Sequence, residues 1–400
     1  MKTIKDIYKI GVGPSSSHTM GPQKAASIFN TRFPNAASFE VTLYGSLAAT
    51  GKGHMTDKAI LSTLHAPTEI IWEPGIILPF HPNGMLFKAF DAEKNLLGEW
   101  KVFSIGGGNL AEEGKVDESP EVYPLSKMTD ILKWCGQTGR TYWEYVYEYE
   151  NQKEIEDYMM EVWQAMQAAV ERGLQAEGVL PGPLHLSRKA ATYHIKASGY
   201  THTLKSRGLV YSYALAVAEE NASGGIVVTA PTCGSCGVLP AVLYHLSKSY
   251  EFSDQRIIRA LVTAGLVGNI VRTNASISGA EVGCQGEVGV ACSMAAAAAN
   301  QLFGGSPSQI EYAAEMALEH HLGMTCDPMC GLVQIPCIER NAYAAARALD
   351  SNIYSSFSDG HHRVSFDKVV ETMKETGKDL PSLYKETSLG GLARDYTQMQ

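Results

Sequence analysis

The period of hydrophobic and polar positions changes once along this chain. Phe39, Val41 and Leu43 alternate with Glu40, Thr42 and Tyr44, the two-residue period of a half-buried strand. Ile70, Ile71 and Trp72 form a second apolar run, closed by the Pro74-Gly75 turn signal. Residues 85–90 and 100–105 read as two more strands with a polar, hairpin-like stretch at 91–95 between them, and residues 57–64 read as a helix. Beyond about residue 120 the period becomes helical. Met159, Val162, Trp163, Met166, Ala169 and Val170 predict a helix over 155–174, followed by the Pro181-Gly182-Pro183 turn. Further helices are predicted over 209–220, 238–247, 254–263, 288–302, 307–320 and 339–349, in a stretch rich in Ala and Gly whose short side chains allow close packing. The expectation is an α/β N-terminal domain and an all-α C-terminal domain, linked somewhere within 120–180.

Composition narrows the function. The 400 residues are 45% hydrophobic and 19% charged, an ordinary globular mix, and the formal net charge of −9 argues against nucleic acid, which needs a basic face. The long uncharged stretch between Glu287 and Glu311 is interrupted by Ser293, Asn300, Gln301 and a Gly-Gly-Ser-Pro-Ser turn, so it reads as a buried helix and not a membrane span. No secretory signal follows Met1, and the cytoplasm, where thiols stay reduced, is the expected location.

Two loops carry candidate chemistry. Gly11 to Pro22 sets Ser15, Ser16, Ser17, His18 and Thr19 between glycines, either a cradle of N–H groups and hydroxyls for a carboxylate or a capped helix start. Gly45 to His54 looks like a phosphate loop, but five residues separate Gly45 from Gly51 and no hydroxyl follows Lys52, so nucleotide binding is rejected. His54 at its end reads either as a general base or as a satisfied loop histidine.

Seven of the eight cysteines lie between positions 233 and 337. Cys284, Cys326 and Cys337 each sit at a helix edge or a Gly/Pro break. Three widely separated thiolates suit an iron–sulfur cubane with one iron left open, whereas Cys326 with Cys330 alone would make one zinc knuckle. Cys233-Gly234-Ser235-Cys236 opens a predicted helix, where a dipole lowers a thiol pKa, but the surroundings do not read as a redox domain.

Taken together, Gly13 to Thr19, Leu43 to Leu47, Gly51 to His54, Phe80 to Met85, Ser276 to Gly289 and Leu322 to Asn341 resemble the bacterial iron–sulfur-dependent L-serine dehydratase (L-serine ammonia-lyase) family over nearly the whole chain. The resemblance implies an α/β unit of the family's beta type over 1–150, similar to the allosteric substrate-binding domain of phosphoglycerate dehydrogenases. An all-α catalytic unit of the alpha type then spans 151–400. It implies a [4Fe-4S] cluster on Cys284, Cys326 and Cys337, His54 as base, and Ser15, Ser16, Ser17 and His18 at the substrate. The implied reaction is serine to pyruvate and ammonia, with L-serine as the small-molecule partner and a homodimer as the bland assembly. Relatives carry other residues at Cys233, Cys236 and Cys330, which leaves these outside the ligand set. Some relatives end in a cysteine that fills the open iron position, and this chain has no Cys after Cys337. Rival readings are a pyridoxal-phosphate dehydratase, because Thr203 to Gly208 resembles a Schiff-base lysine segment around Lys205, and a non-catalytic amino-acid sensor.

Overall fold

Two hydrophobic cores organise the computed structural model, which describes residues 1–114 and 120–396. After a short strand β1 (Ile10–Val12) and helix Gly21–Arg32 come β2 (Ser38–Tyr44), β3 (Thr68–Glu73), β4 (Gly84–Phe90), β5 (Leu96–Ser104) and β6 (Leu110–Ala111). The last five form one sheet in the order β3-β2-β4-β5-β6. β2 and β3 run parallel with Val41 opposite Ile70, and every other neighbouring pair is antiparallel. A parallel pair needs a crossover, here helices Gly45–Thr50 and Thr56–Leu61. The alternation along β2 turns Phe39, Val41 and Leu43 onto Phe29 of helix Gly21–Arg32, with Phe87 and Val102 beside them. The four sheet strands expected from the sequence are present, and the crossover delivers His54 to the turn between its two helices.

The larger core is helical. Helices Gln152–Gln175, His202–Ala222, Val238–Tyr250, Asp254–Asn274, Val288–Leu302 and Cys337–Ser356 contain six of the seven predicted segments, and helix Pro307–Glu319 covers the seventh except its last residue, His320. Helix Val288–Leu302 is buried along nearly its whole length, and no helix among the described residues is long and apolar enough to cross a membrane. Helix Asp254–Asn274 runs past its expected end at 263 because Gly265 and Gly268 are contact points. A Cβ on either would lie 2.9 Å from a neighbour, Tyr8 Cε2 for Gly265 and Met294 Sδ for Gly268. The missing side chains let the N-terminal segment and the next helix close in, which offsets glycine's poor helix propensity.

Packing divides the chain elsewhere than at 150. Met1, Ile4, Ile7 and Tyr8 are buried in the larger core, and the Tyr8 hydroxyl donates to Leu261 O at 2.7 Å. Helices Met128–Thr138 and Tyr142–Tyr149 bury Met128, Ile131, Tyr142 and Tyr145 there too. β1 pairs antiparallel with β7 (Ile226–Val228) from the helical part, Gly11 opposite Val227. The chain therefore starts in the helical unit, leaves it to build the sheet, and returns. The Ser15–His18 loop lies at the point of departure.

Candidate active site

Three parts of the chain meet at one buried chamber. From the sheet unit come His18, on the single π turn Ser16–Met20 ahead of helix Gly21–Arg32, and His54. From the helical unit come Cys284, Cys326, Cys337, Glu287 and Arg340. From the C-terminal segment comes Glu386, whose backbone sits in the left-handed region at φ 58°. For a glutamate that conformation is strained and held by its surroundings. Its N–H donates to Cys326 O at 2.7 Å, and Cys326 N–H donates to Tyr384 O at 2.8 Å.

The hydrogen bonds fix the state of both histidines. Ser46 Oγ gives its proton to Glu386 O at 2.9 Å, so at 3.1 Å from His18 Nε2 it must accept, and Nε2 carries the proton. His18 Nδ1 then accepts from Ser17 Oγ at 2.8 Å, and Ser15 Oγ accepts from His18 N–H at 3.0 Å. His18 is a fully satisfied neutral ring. His54 donates from Nδ1 to Thr50 O at 2.9 Å, which leaves Nε2 with a bare lone pair. The two rings stack with centroids 4.5 Å apart. Glu386 Oε1 lies 3.6 Å from His18 Nδ1 and 3.8 Å from His54 Nε2. These three ligand atoms fall within 4.8 Å of one another, a spacing that a cation could span.

Burial sets the electrostatics. It pushes His54 down to about 4, partly opposed by the Thr50 hydrogen bond, and it pushes His18 down as well, helped by His54. Both are neutral at pH 7. Burial, reinforced by Glu287, pushes Glu386 up.

The three cysteines come from distant segments. Cys284 opens the 3-10 turn Cys284–Gly286, Cys337 is the first residue of helix Cys337–Ser356, and Cys326 lies in the loop bridged to Lys385. Cys284 N–H donates to Met324 O at 3.0 Å, which ties the first segment to the third. Burial pushes all three thiols up, and the thiols add to it at two of them: Cys284 and Cys337 raise Cys326, and Cys284 raises Cys337. Arg340 opposes this. Its guanidinium bonds to Cys284, which burial leaves at about 11, and also donates to Thr325 O at 2.7 Å. Cys326 and Cys337 feel Glu386 too, so the thiols and the histidine pair share one space. An all-sulfur donor set facing a guanidinium fits an iron–sulfur cluster better than a hard cation.

Other cysteines have other partners, although Cys233 also feels the Glu287 charge. Cys233 Sγ contacts Met20 Sδ at 3.4 Å, and Cys330 Sγ donates to Tyr396 O at 3.3 Å. The Cys233–Cys236 pair does sit ahead of helix Val238–Tyr250, but burial pushes both thiols up, opposite to the depressed pKa of a dithiol redox site. Lys205 of the rival pyridoxal reading is exposed on helix His202–Ala222.

A cavity of about 950 Å³, lined among others by Ser46, Lys52, His81, Ser382 and Lys385, lies on the other side of the C-terminal segment. Ser46 connects the two spaces. Sequence reading missed Ser46, Glu287, Arg340 and Glu386. Glu386 lies in a segment without periodicity between Pro381 and Gly390, and no local spacing signals its role.

Two family models and several curated proteins match the chain. The family model described as serine dehydratase alpha chain matches residues 59–393, and that described as serine dehydratase beta chain matches residues 3–68. The alpha-chain match thus begins well before residue 150. The chain is 42% identical to the L-serine dehydratase of Streptomyces coelicolor over 98% of each chain. It is 42% identical to L-serine dehydratase 1 of Escherichia coli over 98% of this chain and 99% of that one. It is 37% identical to the L-serine dehydratase of Helicobacter pylori over 98% of each. The first of these alignments runs over 447 columns, more than the 400 residues here, so that relative carries segments this chain lacks.

Proposed function

The chain belongs to the serine dehydratase family, and we propose that the chamber around His54, Glu386 and the three thiols eliminates water from L-serine to give pyruvate and ammonia. The observation that carries this reading is the meeting, in one buried space, of a histidine with a bare Nε2 and three cysteines from three segments. Cys284, Cys326 and Cys337 would hold a [4Fe-4S] cluster. Bound there, it supplies a Lewis acid that makes the serine hydroxyl a better leaving group.

The chain's own groups do the rest. His54 Nε2 takes the α-proton, and its Nδ1–H bond to Thr50 O keeps the lone pair on the correct nitrogen. His18, neutral and stacked on His54, brings no competing positive charge. Ser15, Ser16, Ser17 and His18 form the wall that seats serine from the sheet unit, Ser17 acting through the His18 ring it bonds and Ser15 through the His18 backbone N–H. Burial excludes water from the proton transfer. Loss of water leaves aminoacrylate, which tautomerises and is hydrolysed to pyruvate and ammonia.

We read the sheet unit as a substrate-sensing domain like that of phosphoglycerate dehydrogenases, and the assembly as a homodimer. All eight cysteines are free, which suits the reducing cytoplasm. The test is anaerobic purification with iron and sulfide quantitation, followed by a pyruvate assay on L-serine. Brown, iron-loaded protein that makes no pyruvate would overturn the reading.

A further inference from the structure

Serine brings three groups into a site: a hydroxyl to be expelled, a carboxylate, and an α-ammonium. The roles assigned so far provide nothing for the ammonium. A cation placed in a dry chamber needs an anionic or acceptor partner, because losing its hydration without one is costly.

The chamber holds one unused acceptor. Glu386 is 5% exposed, and its two carboxyl oxygens differ. Oε1 faces both histidine rings, at 3.6 Å from His18 Nδ1 and 3.8 Å from His54 Nε2. Oε2 is buried and has no hydrogen-bond partner. No lysine or arginine among the described residues forms an ion pair with this carboxylate, and its two histidine neighbours are neutral rings. Glu287, a second buried carboxylate, acts with burial to push the Glu386 pKa up, and a bound ammonium offsets that by stabilising the ionised carboxylate. Arg340, the cation nearby, is engaged with Cys284 and Thr325 O. The strained backbone at φ 58° and the Ser46 bond to Glu386 O hold the side chain in place.

We propose that Glu386 is the receptor for the substrate's α-ammonium, with Oε2 as the accepting atom. The site therefore takes 2-amino acids and discriminates against hydroxy acids that lack the amine. Because Oε1 already sits beside His54 Nε2, an ammonium held on Oε2 brings the adjoining α-carbon, and its proton, to the base. Glu386 is thus a specificity-determining residue that touches substrate. This inference deepens the reading of the chamber as a serine site and rests on it.

The test separates amine recognition from shape. In Glu386→Gln, the KM for L-serine and the Ki of L-alanine, which keeps the amine but has no leaving group, should each rise at least about tenfold. The Ki of 3-hydroxypropionate, which lacks the amine, should change less than about twofold, since it never used the carboxylate. Cluster absorbance and melting temperature are recorded alongside. If the Gln variant does not fold, the wild-type enzyme decides: 3-hydroxypropionate should inhibit at least about tenfold more weakly than L-alanine. A parallel rise for all three ligands in Glu386→Gln, no rise at all, or equal inhibition of the wild type by the two analogues overturns the inference. Failure of the underlying reading looks different. Wild-type protein would then make no pyruvate, while L-alanine and propionate binding by calorimetry would still report on the amine.

Discussion

Replacing His54 by asparagine tests the base without dismantling its surroundings. The asparagine amide can keep the donation that Nδ1 makes to Thr50 O at 2.9 Å, but it puts no basic nitrogen where Nε2 stood. The structural loss is confined to the stacking on His18, whose ring centroid lies 4.5 Å away, worth about 1 kcal/mol. The catalytic loss is larger. A positioned general base is worth about 10²–10⁴ in rate, or roughly 3–5 kcal/mol of barrier. His54→Asn should therefore keep its cluster absorbance and melt within a few degrees of wild type, while kcat in an anaerobic pyruvate assay falls at least about a hundredfold. The pH profile adds a second reading. Burial holds His54 at about 4, so the ring stays a free base well below the ordinary histidine range. Wild-type kcat at saturating L-serine, where the bound ammonium keeps Glu386 ionised, should run flat from about pH 7.5 to about 5.5, with no limb near the usual 6.5. Turnover above a tenth of wild type in His54→Asn, or an acid limb centred near 6.5, would refute the assignment.

The thiols, the hinge between the units and the buried histidines give further expectations. Ser at Cys284, Cys326 or Cys337 should each cost iron and brown colour, whereas Ala at Cys233, whose sulfur contacts Met20, should leave iron content unchanged; a brown triple variant would remove the ligand set. Gly53→Ala should lower both kcat and melting temperature, because its Cβ would sit 2.4 Å from Gly331 O and 2.6 Å from Gly331 C, backbone that can only yield by parting the two units. Wild-type melting behaviour in that variant would show the contact to be dispensable. Ser46→Ala strips His18 Nε2–H and Glu386 O of their shared partner, so stability should fall by about 1–3 kcal/mol, read by denaturant melts, with unchanged midpoints counting against the tautomer argument. His245, bonded to Ser206 and held at about 4 by burial, binds its proton only in the unfolded chain between about 6.5 and 4. Its contribution is full above about 6.5 and lost as pH falls, so between pH 7.5 and 5 wild type should lose about 2 kcal/mol more than His245→Asn, and parallel stability curves would contradict this.

The parts of the fold legible in the sequence were those whose signal is local. The alternation at Phe39, Val41 and Leu43 marks β2 because its neighbours carry the other face, and the apolar rows of helix Gln152–Gln175 recur at helical spacing. Helix Tyr142–Tyr149 escaped because its run of tyrosines and a tryptophan favours strands by propensity. The Thr141–Glu144 capping box and burial of Tyr142 and Tyr145 override that preference. The pairing of β1 with β7 joins residues more than two hundred positions apart, which no window can register. The same limit applied to the site. Ser15–His18, His54 and the three cysteines stand out as residue types in unusual loops. Glu386 is an ordinary acid in an aperiodic segment until its backbone bond to Cys326 turns it toward the histidines.

Those long-range ties explain why the chamber is built as it is. The sheet unit alone supplies two neutral histidines but no anion beside them, and the helical unit alone supplies thiols, Glu287 and Arg340 but no base. The C-terminal segment closes the set, and the Ser46 hydroxyl touches two of the three parts, bonding His18 on one side and Glu386 O on the other. Gly53 is the matching contact to the third, its α-carbon close against Gly331 and Cys330. A base poised by dehydration loses its depressed pKa as soon as water enters, so the chemistry depends on all three parts being shut together.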